Sequence, residues 1–260
     1  MIRPALTTVL PSRPLRSLIS HYWLSFDNPD ATHVVLPDGA VDLVIRQCGA
    51  SAQSWVYGTS TSRFVVALEQ HAHYFGIRFK PGQSRHFMKA APIEITDRCE
   101  AAKGLLRFSL DSVLEYGVGA DLFHLLNENL ESHICRNPPA RTRVDEAISF
   151  IEAAHGTARI DEVVAAFGKS RRHLERVFLE TVGVSPKFFS SITRFRRAAE
   201  LLHRPSASLA AVAFEAGYSD QSHMSHEFRR LANLSPLIYA RSHVAFLQDS
   251  ASPVSEDGHS

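Results

Sequence analysis

Two sets of outward-facing side chains carry the chemistry of this sequence. The first is Arg171, Arg172, Glu175 and Arg176; the second, about fifty positions on, is Gln221, Ser222, Ser225, His226, Arg229 and Arg230. Both sit at helical spacing. A helix can lie in the DNA major groove and present three or four side chains to base edges. Arg reads guanine with two parallel hydrogen bonds, Gln reads adenine, and Ser and His donate or accept. A single Arg or Gln of this kind is usually part of a solvated helix face. Two similar sets at one offset reverse that balance.

The elements beneath these side chains repeat. Phe178, Gly183, Pro186 and Phe189 are answered fifty residues later by Phe228, Asn233, Pro236 and Tyr239, and Leu174 and Arg176 by Met224 and His226. In the first copy Ile160 to Phe167 reads as a short helix stopped by Gly168. Ser170 is an N-cap for the next helix, which buries Leu174, Val177 and Phe178. In the second copy Ser208 caps a helix from Leu209 to Ala216, and Gly217 makes the turn. Ser219 is expected to cap the helix Asp220 to Leu231. Ser185-Pro186 opens a connecting helix that runs to Leu202, with Pro at its first position and Pro205 as its stop. Ser235-Pro236 starts a last short helix through Tyr239. Upstream, Val144 to Ala154 is amphipathic and ends at Gly156. A short helix, a Gly turn and a capped helix with a basic outer face is the helix-turn-helix pattern.

Two stretches carry a family resemblance. Ser170-Arg171-Arg172-His173-Leu174-Glu175-Arg176-Val177-Phe178, with Gly183-Val184-Ser185-Pro186, resembles the first helix-turn-helix of AraC/XylS-type transcription regulators. The run from Val212-Ala213 through Gly217-Tyr218, Gln221-Ser222 and Met224 to Phe228, followed by Ser235-Pro236 and Tyr239, resembles that family's signature in the second. The resemblance covers about 142–241. It implies a seven-helix domain whose two recognition helices enter successive major grooves. Carried over by position, it makes Arg172, Glu175, Arg176, Gln221, Ser222, Ser225 and His226 the base readers. It leaves Arg171, Arg229 and Arg230 for phosphates, which position without specifying. Departures from the family are Arg159 where a capping Ser or Thr is usual, Val164 for Ala, Met224 for Phe, His226 for Arg, Asn233 for Gly and Ala240 for Arg.

The rest of the chain reads differently. Val34 to Leu36, the Pro37-Asp38-Gly39 turn and Val41 to Ile45 form strand, turn and strand, and Phe64 to Leu68 and Tyr74 to Phe79 are further strands. Ser84 to Ala90 fits a short helix. Leu110, Val113 and Leu114, then Leu122, Leu125, Leu126 and Leu130, recur at helical steps. Pro138-Pro139 breaks the pattern and marks a domain boundary. The run Leu36-Pro37-Asp38-Gly39 with Asp42, and Gly76 to Gly82, resembles the cupin-like sensor halves of the same family. The expected fold is therefore α+β. A cupin-like β-barrel with packed helices spans 1–136, an all-α seven-helix tandem helix-turn-helix domain spans 142–241, and a disordered tail spans 242–260. His33, Asp38, Asp42, His71, His73 and Arg78 are the candidates for an effector pocket.

His71 and His73 also resemble the two-histidine part of a cupin metal motif, but no carboxylate follows at the expected distance. A metal-dependent cupin-type enzyme fused to a DNA-binding module is the rival reading; no cofactor and no metal site are expected. Cys48, Cys99 and Cys135 match no metal or disulfide spacing and read as small, at least half-buried thiols. Net charge is +1, but 15 Lys and Arg face 11 Asp and Glu within 141–241, against 13 and 13 within 1–140. That modest excess needs base contacts to supplement phosphate attraction. No apolar run reaches membrane-spanning length, and Met1 to Pro14 lacks the regions of a signal peptide. A cytoplasmic, nucleoid-associated regulator is expected, with double-stranded DNA as partner. The resemblance adds RNA polymerase. The first half is left to bind a small-molecule effector or to build a homodimer.

Overall fold

The computed structural model describes residues 7–28, 30–49, 51–117, 121–204 and 208–241. The expected tail, 242–260, and the expected helix stop at Pro205 lie outside them. Eight strands come first: β1 (Thr7–Val9), β2 (Ile19–Ser25), β3 (Thr32–Val35), β4 (Val41–Cys48), β5 (Ser51–Tyr57), β6 (Phe64–Ala67), β7 (His73–Phe79) and β8 (Cys99–Ala101). Six of them form one antiparallel sheet in the order β1-β2-β7-β4-β5-β8, and β3 pairs only with β6 in a separate two-stranded ribbon.

Among the described residues the expected cupin-like barrel is not formed. β1 and β8, three residues each, stand at opposite edges of the large sheet, and no pairing joins them. Strand, turn and strand do form around Pro37-Asp38-Gly39, as β3 and β4, but the two strands do not pair with each other. Asp38 Oδ1 accepts the Ala40 N–H at 3.0 Å, and β4 leaves to pair with β5 and β7.

Period-two alternation gives the large sheet two faces. Tyr22, Leu24, Leu43, Ile45, Val56, Phe75, Ile77 and Phe79 bury one face against Phe87, Ile95 and the helices α1 (Asp111–Tyr116) and α2 (Leu122–Arg136). Trp23, Val44 and Tyr74 line the other face, toward the ribbon. Gly76 makes room there: a Cβ on it would stand 2.2 Å from the Trp23 indole. The expected helix from Ser84 is one 3-10 turn, Gln83–His86.

Beyond the prolines come α3 (Arg143–Ala153), α4 (Ile160–Phe167), α5 (Arg171–Val182), α6 (Pro186–Leu202), α7 (Leu209–Glu215), α8 (Gln221–Ala232) and α9 (Pro236–Arg241). The helix count among the described residues is nine rather than seven, because α1 and α2 precede the Pro138-Pro139 break. These helices build two cores. Val144, Ile148, Ile151, Val163, Phe167, Leu174, Phe178 and Phe189 form the first. Phe195, Ala198, Leu202, Val212, Ala213, Met224, Phe228, Leu231 and Tyr239 form the second, and Leu36 from the strand half joins it. The helix α6 contributes to both. No helix among the described residues is long and apolar enough to cross a membrane. Cys48, Cys99 and Cys135 are free and exposed rather than buried.

Candidate nucleic-acid interface

In the first unit Gly168 turns the chain at φ +69°, and Arg143 Nη1 donates to its carbonyl at 3.1 Å. Ser170 Oγ then accepts the His173 N–H at 3.3 Å and starts α5. Leu174 and Phe178 point inward, fully buried. That fixes the exposed face, which carries Arg171, Arg172 and Arg176, with Glu175 partly exposed beside them. Glu175 accepts from Arg171 at 3.1 Å, and Glu180 from Arg176 at 3.0 Å. Both are solvent-exposed pairs one turn apart, worth only about 0.3–0.5 kcal/mol each, so phosphates or bases can displace them. At the head of α4, the site of the missing Ser or Thr, the Arg159 N–H is satisfied instead by Glu162 Oε2 at 2.8 Å.

The second unit follows the same plan with tighter caps. Ser208 Oγ accepts the Ala211 N–H at 3.2 Å, and Gly217 turns the chain at φ +80°. The cap of α8 is Asp220, not Ser219: Asp220 Oδ1 accepts the His223 N–H at 2.8 Å. That hydrogen bond is the first cause holding the Asp220 carboxyl below its usual range, because a charged acceptor at a helix N-terminus is favoured. Met224 and Phe228 are fully buried. Gln221, Ser222, His226, Arg229 and Arg230 are exposed. Ser225 is half-buried and donates its hydroxyl to the Gln221 carbonyl at 2.8 Å, leaving its oxygen lone pairs as acceptors.

Arg230 stands apart from the other expected contacts. Its Nη2 donates to Glu227 Oε1 at 3.1 Å, and its guanidinium lies 5.2 Å over the Phe188 ring. Glu227 is buried and also pairs with Arg194 at 3.3 Å, which itself covers the Tyr218 ring. Arg230 thus closes a charged network between α6 and α8. The one signal for it in the sequence is that a carboxylate, Glu227, takes the place that Val177 has in the first copy.

Sequence reasoning missed how the strand half grips these helices. Thr59 Oγ1 donates to the Val182 carbonyl at 2.7 Å, at the end of α5. Four residues on, the Arg63 N–H donates to the Leu231 carbonyl at 3.0 Å, near the end of α8. One short loop between β5 and β6 therefore satisfies terminal carbonyls of both recognition helices. Asp97 stiffens it by accepting from the N–H and the hydroxyl of Thr61, at 2.7 and 2.6 Å. Thr96 Oγ1 donates to the Gly183 carbonyl at 2.9 Å, and Gly39 lies against the Phe189 ring. On the α3 side Arg85 Nη2 spans both oxygens of Asp145 at 2.9 and 2.8 Å, joined by Gln83 at 2.8 Å. These partners are scores of residues apart, so no local pattern announces them.

The expected pocket residues divide. Arg78 is fully buried and ion-pairs with Asp38 and with Asp42, the latter at 2.8 Å. Asp42 and His33 line a cavity of about 110 Å³ between the large sheet and the ribbon, together with Trp23, Val44, Tyr57 and Tyr74. Burial pushes the Asp42 carboxyl up to about 7; Arg78, shared with Asp38, does not hold it low. Burial also pushes His33 down. His71 and His73 do not line the cavity. His71, in a turn at φ 62°, pairs with Asp27 at 2.8 Å, and His73 Nδ1 accepts the Asp27 N–H at 3.1 Å. No three His, Cys, Asp or Glu residues among those described gather as metal ligands.

Two family models match separate stretches of the chain. Residues 163–242 match the family described as Helix-turn-helix domain, and residues 7–101 match a Domain of unknown function (DUF6597). The HTH-type transcriptional activator RhaS of Escherichia coli O139:H28 (strain E24377A / ETEC) is 31% identical over 125 residues, 47% of this chain and 42% of RhaS. The chain thus spans less than half the length of that curated relative. An AraC-type regulator structure from Chromobacterium violaceum is 30% identical with a TM-score of 0.36, over 38% of this chain and 89% of that one. ToxT from Vibrio cholerae, at 12% identity and a TM-score of 0.45, aligns over 85% of this chain and 96% of its own. The C-terminal part of this chain thus matches a helix-turn-helix domain and is similar to that part of AraC-type transcription regulators.

Proposed function

We propose that the chain is a sequence-specific transcription regulator. About 142–241 reads double-stranded DNA, and about 1–136 sets how the two recognition helices are presented. The observation that carries this reading is the pair of capped recognition helices, each with a polar outer face and its own core, joined through α6. Arg172 and Arg176 suit guanine, Glu175 suits cytosine, and Gln221 suits adenine. Ser222, Ser225 and His226 complete the second reader. Arg171 and Arg229 suit phosphates, while Arg230 frames α8.

The strand half has a route to these helices. The β3–β6 ribbon presents His33, Val35, Val66 and Leu68 to the cavity. Its other side sends Val34, and then Leu36, against the second core. The loop that leads into β6 holds the ends of α5 and α8. An effector that favours one position of the ribbon would shift both readers, provided its affinity differs between the two states. RNA polymerase contact, pairing with a second copy and a place at the bacterial nucleoid belong to the same proposal, and RhaS, an activator by name, favours activation.

The test is selection of binding sites from random duplex DNA by the full-length chain. Enrichment of a two-part motif, with affinity falling steeply as salt rises, is the expected result. Equal retention of all sequences at every salt concentration refutes the reading.

A further inference from the structure

We propose that the cavity between the six-stranded sheet and the β3–β6 ribbon binds a small organic cation, an aryl- or alkylammonium. Its charge would lie against Asp42 and its hydrocarbon among Trp23, Tyr57 and Tyr74. This deepens the effector reading above and rests on it.

Charge balance is the first argument. Arg78, Asp38 and Asp42 form one largely buried group of one guanidinium and two carboxyls, and a cation in the cavity would hold Asp42 ionised against its burial. Only Asp42 of the three lines the cavity. The group therefore shows the cavity a carboxylate whose counter-charge is already shared. Asp42 Oδ1 also accepts from Trp23 Nε1 at 3.4 Å, a long contact that leaves lone-pair capacity. The walls are the second argument. Three aromatic rings, Trp23, Tyr57 and Tyr74, line the cavity together with Asp42, and ring faces attract cations. Val35, Val44, Val66 and Leu68 supply the remaining apolar surface. His33, kept neutral by burial, adds no positive charge. An anion would meet Asp42 with Arg78 sealed behind it, and a neutral hydrocarbon would cover the carboxylate without answering it. A divalent metal would find one carboxylate where it needs several oxygen ligands.

Calorimetry on the full-length chain tests this with four probes of similar size: benzylamine, n-butylamine, benzyl alcohol and benzoate. The expected result is one benzylamine per chain, at least about tenfold tighter than benzyl alcohol or benzoate, with n-butylamine in between. D42N should bring benzylamine down to the level of benzyl alcohol. Because D42N also removes a partner of Arg78, V66F provides a second arm: it fills the cavity, leaves the charged group intact, and should abolish amine binding while DNA selection without ligand persists. Benzoate or benzyl alcohol binding as tightly as benzylamine overturns the proposal. So does undiminished benzylamine binding by V66F, or no benzylamine binding at millimolar concentration. A chain that selects DNA but ignores amines loses this inference and keeps the regulator reading.

Discussion

Replacing Arg230 with Ala separates the phosphate role that the sequence assigns to this side chain from the packing role that its contacts give it. As a phosphate contact, its loss would weaken every DNA sequence alike and lower the salt slope by about one. The structure occupies it otherwise, with Glu227 at 3.1 Å and the Phe188 ring at 5.2 Å. The ion pair is worth about 0.2–1 kcal/mol, since the Arg230 side chain is 48% exposed. The ring contact adds about 0.5–1 kcal/mol. Glu227 keeps Arg194, so no buried charge is stranded. The sum, about 1–2 kcal/mol, should lower the melting temperature by roughly 2–8 °C for a chain of this size. Salt-dependent anisotropy on a selected duplex should show an unchanged slope, and Arg229→Ala, with no ion pair among the described residues, should lower it. If Arg230→Ala melts like the parent and reduces the slope by about one, the structural role assigned here is wrong.

Arg172→Ala and Arg176→Ala should each cost about 1–3 kcal/mol on the preferred duplex and relax selection at one or two positions in the same half of the motif; repeated site selection checks this. Phe228 is fully buried, with Phe195 at 4.7 Å and Tyr239 at 5.5 Å. Phe228→Ala should cost about 3–5 kcal/mol and erase the footprint of one half-site, whereas Phe178→Ala, in the other core, should erase the other. Burial first, then the charges of Arg78 and Arg196, lowers His21 to about 4. A lowered histidine keeps its full contribution above its unfolded value of about 6.5 and loses it as pH falls toward 4. Chemical denaturation across that range should show stability falling by up to about 1.4 kcal/mol per pH unit from this group, and His21→Phe should flatten the slope by one proton. Asp145 is also lowered: burial raises it, but the Thr142 N–H, Arg85 and Gln83 together outweigh burial. Its share of stability is present above pH ~4 and lost on further acidification, a loss that Arg85→Ala should diminish.

The C-terminal elements were legible because their causes are local. Ser170, Ser185 and Ser208 cap within three residues, Gly168 and Gly217 turn the chain, and a 3.6-residue period sorts inside from outside. Asp220 displaced Ser219 as cap because its carboxylate reaches the His223 N–H from one residue further on. The strand half was less legible. A run such as Val34-Val35-Leu36 announces a strand but not its partner, and β3 pairs with β6 across some thirty residues rather than with the adjacent β4. Closure into a barrel depends on edge pairing, which no period records. The short β1 and β8 carry too few residues to register, and Arg78 gave no hint that it would be buried between two carboxylates. Of the expected pocket, Asp42 and His33 reached the cavity; His71 and His73 were drawn off by Asp27.

The loop from Thr59 to Arg63 has a consequence for the DNA. Four residue steps span at most about 14 Å, and this tether fastens the far ends of both reading helices. Helices held in this way cannot slide to suit a badly spaced site. The duplex must supply the adjustment, and bending it costs about 1–6 kcal/mol depending on which base steps take the strain. Selection should therefore reach the base pairs between the two half-sites as well as those within them. Flexible pyrimidine–purine steps would be favoured there and stiff tracts excluded. A protein loop that never meets the DNA would in this way write part of its recognition sequence.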